Sequence, residues 1–127
     1  EKAGVGSAVN DISREVGGTL GVAVVGSVFV SLYTPRLVEN FAKIPGLVDA
    51  LNKINPELYP MAQDSVGAAF GIAQQSPAAI RPEVVNAVSD SFVKGFQTAC
   101  LVGVVMALVG SLFALKFLPA RPGSADS

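Results

Sequence analysis

The stretch GFQTACLVGVVMALVGSLFAL, residues 95–115, carries no charged side chain and lies between Lys94 and Lys116. At a rise of about 1.5 Å per residue, a helix of this length is roughly 30 Å long, the thickness of a bilayer's hydrocarbon core. Gly95, Ala99, Gly103 and Ala107 recur at every fourth position, with Gly110 and Ala114 nearly in line. On a helix these small residues form one narrow groove that another backbone can approach closely, while Leu101, Val105, Leu108, Leu112 and Leu115 lie on or near the other faces. A soluble helix of this length needs a polar face, and this one has none.

Working outward, the rest of the composition agrees with that stretch. Charged residues make up 15% of the 127, against about 25% in a typical soluble domain. Most of them lie between residues 35 and 94, which leaves two uncharged runs, 16–34 and 95–115. Length, hydropathy and this segregation predict an all-α integral membrane chain of two transmembrane helices, joined by an extramembrane loop of short amphipathic helices.

The formal net charge of −1 offers no electrostatic case for nucleic acid. The chain has no histidine, so imidazole acid–base chemistry and histidine metal sites are excluded. Its one cysteine, Cys100, lies inside the second apolar run and reads as a small buried hydrophobe. No nucleophile, paired carboxylate, metal cluster or cofactor motif stands out, and no enzyme is expected. Gly4-Val5-Gly6 lacks both the third glycine and the preceding strand of a dinucleotide loop. The first residue is Glu1 and the first methionine is Met61, so the chain reads as the end of a longer protein or a processed piece. No signal peptide is visible, because Asp11, Arg14 and Glu15 head the first apolar run.

Four regions are expected. Residues 1–34 read as a transmembrane helix with a small, polar start. It contains five glycines between Gly4 and Gly21, each costing roughly 1 kcal/mol against alanine in a helix in water. Lipid shifts that balance, since glycine there permits close helix contact. Residues 35–82 read as a loop. Thr34-Pro35 is expected to cap and restart a helix, with Leu37, Phe41 and Ile44 on one face; Pro45-Gly46 ends it. A second piece carries Leu47, Leu51 and Ile54 on one side, and a third runs from Leu58 to Gln75 before Ser76-Pro77. Residues 83–118 form an amphipathic lead-in, with Val85, Val88 and Phe92 opposite Glu83, Asn86, Asp90 and Lys94, running into the last span. Residues 119–127 are a polar tail.

Asn10, Asp11, Arg14 and Glu15 are the only concentration of polar chemistry beside a span. They either face a polar cavity or gate, or fix helix depth at the interface with Arg14 neutralised by Asp11 or Glu15. Gly17 and Gly21 form a GxxxG pair, and with Gly103 and Ala107 they are the expected helix-packing positions. Gln97 and Thr98 either line a path or bond a helix carbonyl.

The segment AGVGSAVNDISREVGGTLGVAVVGSVFVSLY, with Gly6, Ser7, Ala8, Asn10, Arg14, Gly17, Gly18, Gly21 and Gly26 in this spacing, resembles the penultimate helix of the fourteen-span drug:proton antiporters of the major facilitator superfamily. FVKGFQTACLVGVVMALVGSLFALKFLPARP is similar to their last helix. The resemblance implies the C-terminal portion of a proton-coupled multidrug exporter in a bacterial cell membrane. Its partners would be the lipid bilayer, the remaining helices of the transporter, protons, and hydrophobic or cationic small molecules. The loop would lie outside and both termini in the cytoplasm, whereas charge near the helix ends favours that orientation only weakly. Two other readings stay open. One is a self-contained two-span hairpin that oligomerises through the Gly17/Gly21 and Gly103/Ala107 grooves, as an adaptor or small pore. The other is a soluble module in which the two apolar runs bury each other.

Overall fold

A computed structural model describes the backbone of residues 2–117 and the side chains of residues 4–117. The expected Leu118-Pro119 stop and the polar tail lie outside the described residues. Five helices follow one another: α1 (Lys2–Ala42), α2 (Leu47–Ile54), α3 (Leu58–Asp64), α4 (Val66–Gln75) and α5 (Arg81–Phe117). No strand occurs among the described residues.

The two long helices run antiparallel. A Cβ on Gly103 would meet Val25, one on Gly95 would meet Phe29, and Asn40 bonds the carbonyl of Ala87, so contact positions on α5 fall as those on α1 rise. Both helices are long and apolar enough to cross a membrane, with window hydropathies of 1.8 and 2.3. A soluble core helix would bury such a window; here only 6% of each is buried. Leu101, Leu108, Leu112 and Leu115 are exposed on α5, as are Val5, Val9, Ile12, Val16 and Leu20 on α1. The two apolar runs therefore do not bury each other, which removes the soluble-module reading.

The core sits instead at the loop end. Tyr33, Leu37, Phe41, Ile44, Leu47, Leu51, Ile72, Val84 and Val88 form one buried cluster with alanines from α3, α4 and α5. These are the inward faces of the amphipathic pieces, so the loop folds as a helical cap over the joined ends of α1 and α5.

Three boundaries differ from the sequence expectation. First, α1 does not restart at Pro35 but continues through it to Ala42. An interior proline removes one backbone donor and costs about 3 kcal/mol. Tyr33, Leu37 and Phe41 flank it, fully buried, and each such burial contributes roughly 1.5–3 kcal/mol. Packing therefore outweighs the local penalty, and Thr34 is not a cap.

Second, the expected Leu58–Gln75 helix is broken at Ser65, whose backbone is extended (φ −142°, ψ 118°). Ser65 caps the next helix by accepting from the Ala68 N–H at 3.3 Å. The break leaves the last carbonyls of α3 without intrahelical donors. The Tyr33 hydroxyl donates to the Ala62 carbonyl and the Thr34 hydroxyl to the Gln63 carbonyl, each at 3.0 Å. Third, α5 begins at Arg81, ahead of Pro82, and then runs unbroken into the apolar stretch as expected. Gly46 enters α2 at φ 74°, the one left-handed backbone position among the described residues, which suits glycine alone at the Pro45-Gly46 turn.

Candidate functional site

The candidate site is the seam between α1 and α5, with the polar junction where that seam enters the cap. Along α1 the stripe that faces α5 is Val25, Phe29, Tyr33, Leu37 and Phe41; along α5 it is Val84, Val88, Ser91, Gly95, Ala99 and Gly103. The α1 stripe steps by four and the α5 stripe by four apart from one step of three at Val88–Ser91, and the small Gly95 and Gly103 of α5 face Phe29 and Val25 of α1. A Cβ at Gly95 would lie 3.3 Å from the Phe29 ring and 3.4 Å from the Phe29 carbonyl oxygen. Glycine is what lets the aromatic ring lie against the α5 backbone.

Phe29 is the centre of an aromatic run that crosses the seam. It stacks on Tyr33 at 5.5 Å between ring centroids and meets Phe92 edge-on at 5.8 Å, and Phe92 stacks on Phe96 at 5.6 Å. Pairs of this kind contribute about 0.5–1.5 kcal/mol each beyond their area. Below them an apolar groove of about 450 Å³ opens between the helices, lined by Gly21, Val25, Gly26, Phe29, Phe96 and Ala99 among others. No polar side chain lines it, so this part of the seam is a packing surface that neither donates nor accepts a proton.

At the cap end the seam turns polar. Asn40 Nδ2 donates to Ser91 Oγ at 3.1 Å and to Asp90 Oδ2 at 3.2 Å, and the Ser91 hydroxyl donates onward to the Ala87 carbonyl at 2.7 Å. Arg36 Nε lies 3.4 Å from the same Asp90 oxygen, both side chains half exposed. Lys43 donates to Glu39 at 2.8 Å and holds that exposed carboxyl below its ordinary range by hydrogen bond and charge. The result is a network that ties α1 to α5 outside the apolar windows. Its members were visible in the sequence only as the polar faces of two separate helices.

The residues singled out in the sequence are placed as follows. Asn10, Asp11, Arg14 and Glu15 are all exposed on the part of α1 before Gly21, where no α1 residue with a described side chain is buried. Among the described residues, no hydrogen bond or ion pair joins their side chains; the Glu15 backbone carbonyl accepts from the Thr19 hydroxyl at 2.9 Å. Gly17 and Ala107 are exposed, and Gly21 and Gly103 are half-buried. A Cβ at Gly17 or Gly21 would meet nothing within 4 Å, whereas one at Gly103 would lie 3.6 Å from Val25 Cγ2. Thr98 donates to the Lys94 carbonyl at 3.1 Å, and Gln97 is exposed. Cys100 is exposed rather than buried, because its side of α5 faces away from α1.

No family model matches the chain, and no solved structure matches it. The chain is similar to the multidrug efflux pump LfrA of Mycolicibacterium smegmatis, with 24% identity over 110 residues. That match covers 87% of this chain and 20% of the pump, so the chain spans about one fifth of the length of the curated relative it matches. The chain thus combines two helices long and apolar enough to cross a membrane with sequence similarity to part of an efflux pump.

Proposed function

We propose that this chain is the C-terminal portion of a proton-coupled multidrug exporter of the major facilitator superfamily, contributing its last two membrane helices and the loop between them. The observation that carries the reading is the antiparallel pair α1 and α5, whose apolar windows are only 6% buried within the chain. Such surface needs lipid or further helices around it. Similarity to an efflux pump over 87% of the chain supports helices of such a transporter as those partners. The role of the chain is packing within a transport bundle rather than catalysis. Substrates of the whole protein would be hydrophobic or cationic compounds, exchanged for protons by alternating access. The chain would lie in the bacterial cell membrane, with the cap outside and both ends in the cytoplasm.

The experiment has two parts. Sequencing upstream of the Glu1 codon should find several hundred in-frame codons that encode further apolar spans. Cells expressing that whole gene should then extrude ethidium in a manner abolished by a protonophore. A start codon and ribosome site immediately upstream of Glu1, or extrusion indifferent to the proton gradient, would overturn the proposal.

A further inference from the structure

The cap contains a second concavity, whose wall residues Leu47, Leu51 and Ile72 also belong to the buried cluster at the cap end of the α1–α5 seam. It encloses about 300 Å³ between α2, α3, α4 and the turn into α5, the lower end of the range for small-molecule pockets. Leu47, Leu51, Ile54, Leu58, Ile72 and Ile80 supply its large apolar walls. The Pro45-Gly46 and Ser76-Pro77 turns both border it, where α2 begins and α4 ends. Charge is absent from the lining: Asp49 and Lys53 of α2 are both outside it.

Polar character in the wall comes from one amide and one hydroxyl. Ser76 Oγ already donates to the Ile72 carbonyl at 2.8 Å. Gln75 Nε2 donates to the Gly71 carbonyl at 3.3 Å from an exposed side chain, and the Ser76 hydroxyl oxygen can still accept. An apolar wall with neutral polar groups only at its edge cannot compensate an ammonium or a carboxylate for lost hydration. It does suit a small neutral apolar molecule.

We infer that this cap cavity binds a small uncharged hydrophobic molecule, independently of the membrane seam. The inference rests on the packing of the cap and does not require the export reading, so the two can fail separately. Binding is read without any transport.

The chain contains no tryptophan, and Ile54 at the rim is 76% exposed. Ile54→Trp therefore places a single tryptophan at the opening, excited at the red edge of its absorption apart from the two tyrosines. With the full chain in lipid nanodiscs, bromonaphthalene should quench this fluorescence saturably, and unlabelled naphthalene should displace it. The cation bromobenzyl trimethylammonium should not saturate. Adding Ala50→Phe or the milder Ala50→Met, at an exposed position in the wall, should weaken the neutral probe about tenfold or more by occupying so small a space. Quenching that rises linearly without displacement, as partition into lipid gives, would overturn the inference. So would equal saturation by the cation, or affinity unchanged by both substitutions in variants whose circular dichroism matches the parent.

Discussion

The ring of Phe29 lies 3.3 Å from the point where a Cβ on Gly95 would stand. That single approach sets how closely the two long helices pack, because the Phe29 carbonyl oxygen is nearly as close, at 3.4 Å. A Cβ at Gly95 requires the ring to give by a few tenths of an ångström, and the carbonyl oxygen behind it leaves a larger side chain little room.

Gly95→Leu should accordingly lower the stability of the helix pair by about 1–3 kcal/mol, the range for overpacking a tight contact. Gly103→Leu should cost less, since a Cβ there sits at 3.6 Å from a Val25 methyl, and Gly110→Leu should cost least, with nothing within 4 Å. Thermal unfolding in one detergent checks the order. Equal effects at all three positions would show that the seam is not a real contact.

Tyr33→Phe removes the hydroxyl that satisfies the Ala62 carbonyl at the buried end of α3. Leaving that acceptor unpaired should destabilise the cap by about 1–3 kcal/mol. Hydrogen exchange at the α3–α4 junction should rise in the variant while exchange in the α5 apolar stretch stays unchanged.

Asn40 and Arg36 both reach Asp90 Oδ2, but they should not count equally. The Arg36 pair is half exposed on both sides, and such pairs contribute about 0–1 kcal/mol. Asn40 also donates to the buried Ser91 hydroxyl, so Asn40→Ala should cost about 1–3 kcal/mol. Raising the salt concentration should erase the effect of Arg36→Ala and leave that of Asn40→Ala.

Asp11 and Arg14 form no ion pair in this chain. A double-mutant cycle of Asp11→Asn with Arg14→Gln should give a coupling below about 0.5 kcal/mol, the value for independent sites. In the exporter proposed above, Arg14→Gln should nonetheless reduce ethidium extrusion if this face meets another helix of the bundle. Wild-type extrusion would assign Arg14 to fixing helix depth.

The proposed orientation predicts labelling. In a Cys100→Ser background, an impermeant maleimide applied to intact cells should modify Ser65→Cys in the cap and spare Ser124→Cys in the tail. The opposite pattern would invert the topology.

Sequence legibility followed the range of the forces involved. Uncharged runs of bilayer length and fourfold small residues are local patterns, so the two long helices and the unbroken passage of α5 into its apolar stretch could be read directly. The pair Leu47/Leu51 likewise announced its buried face, whereas on α5 the expected face of Val85, Val88 and Phe92 is rotated: Val84, Val88 and Ser91 are buried, and Val85 and Phe92 are half-buried. The register of α1 against α5 could not be read, because many small residues offer equivalent grooves, and only the fit of Phe29 against Gly95 selects one. Pro35, expected to restart a helix, lies inside one, and Ser65, within the expected Leu58–Gln75 helix, breaks it; partners distant in sequence decide both.

What the residues alone determined is that two helices are long and apolar enough to cross a membrane: runs 16–34 and 95–115 carry no charge, and a helix satisfies its backbone groups internally where water is absent. What only the tertiary structure decided is where the chain builds its core. Helix breaks and continuations in the cap depend on partners distant in sequence, as when the hydroxyls of Tyr33 and Thr34 meet the carbonyls at the end of α3. Packing of that kind outweighs a local proline penalty, and no local pattern encodes it.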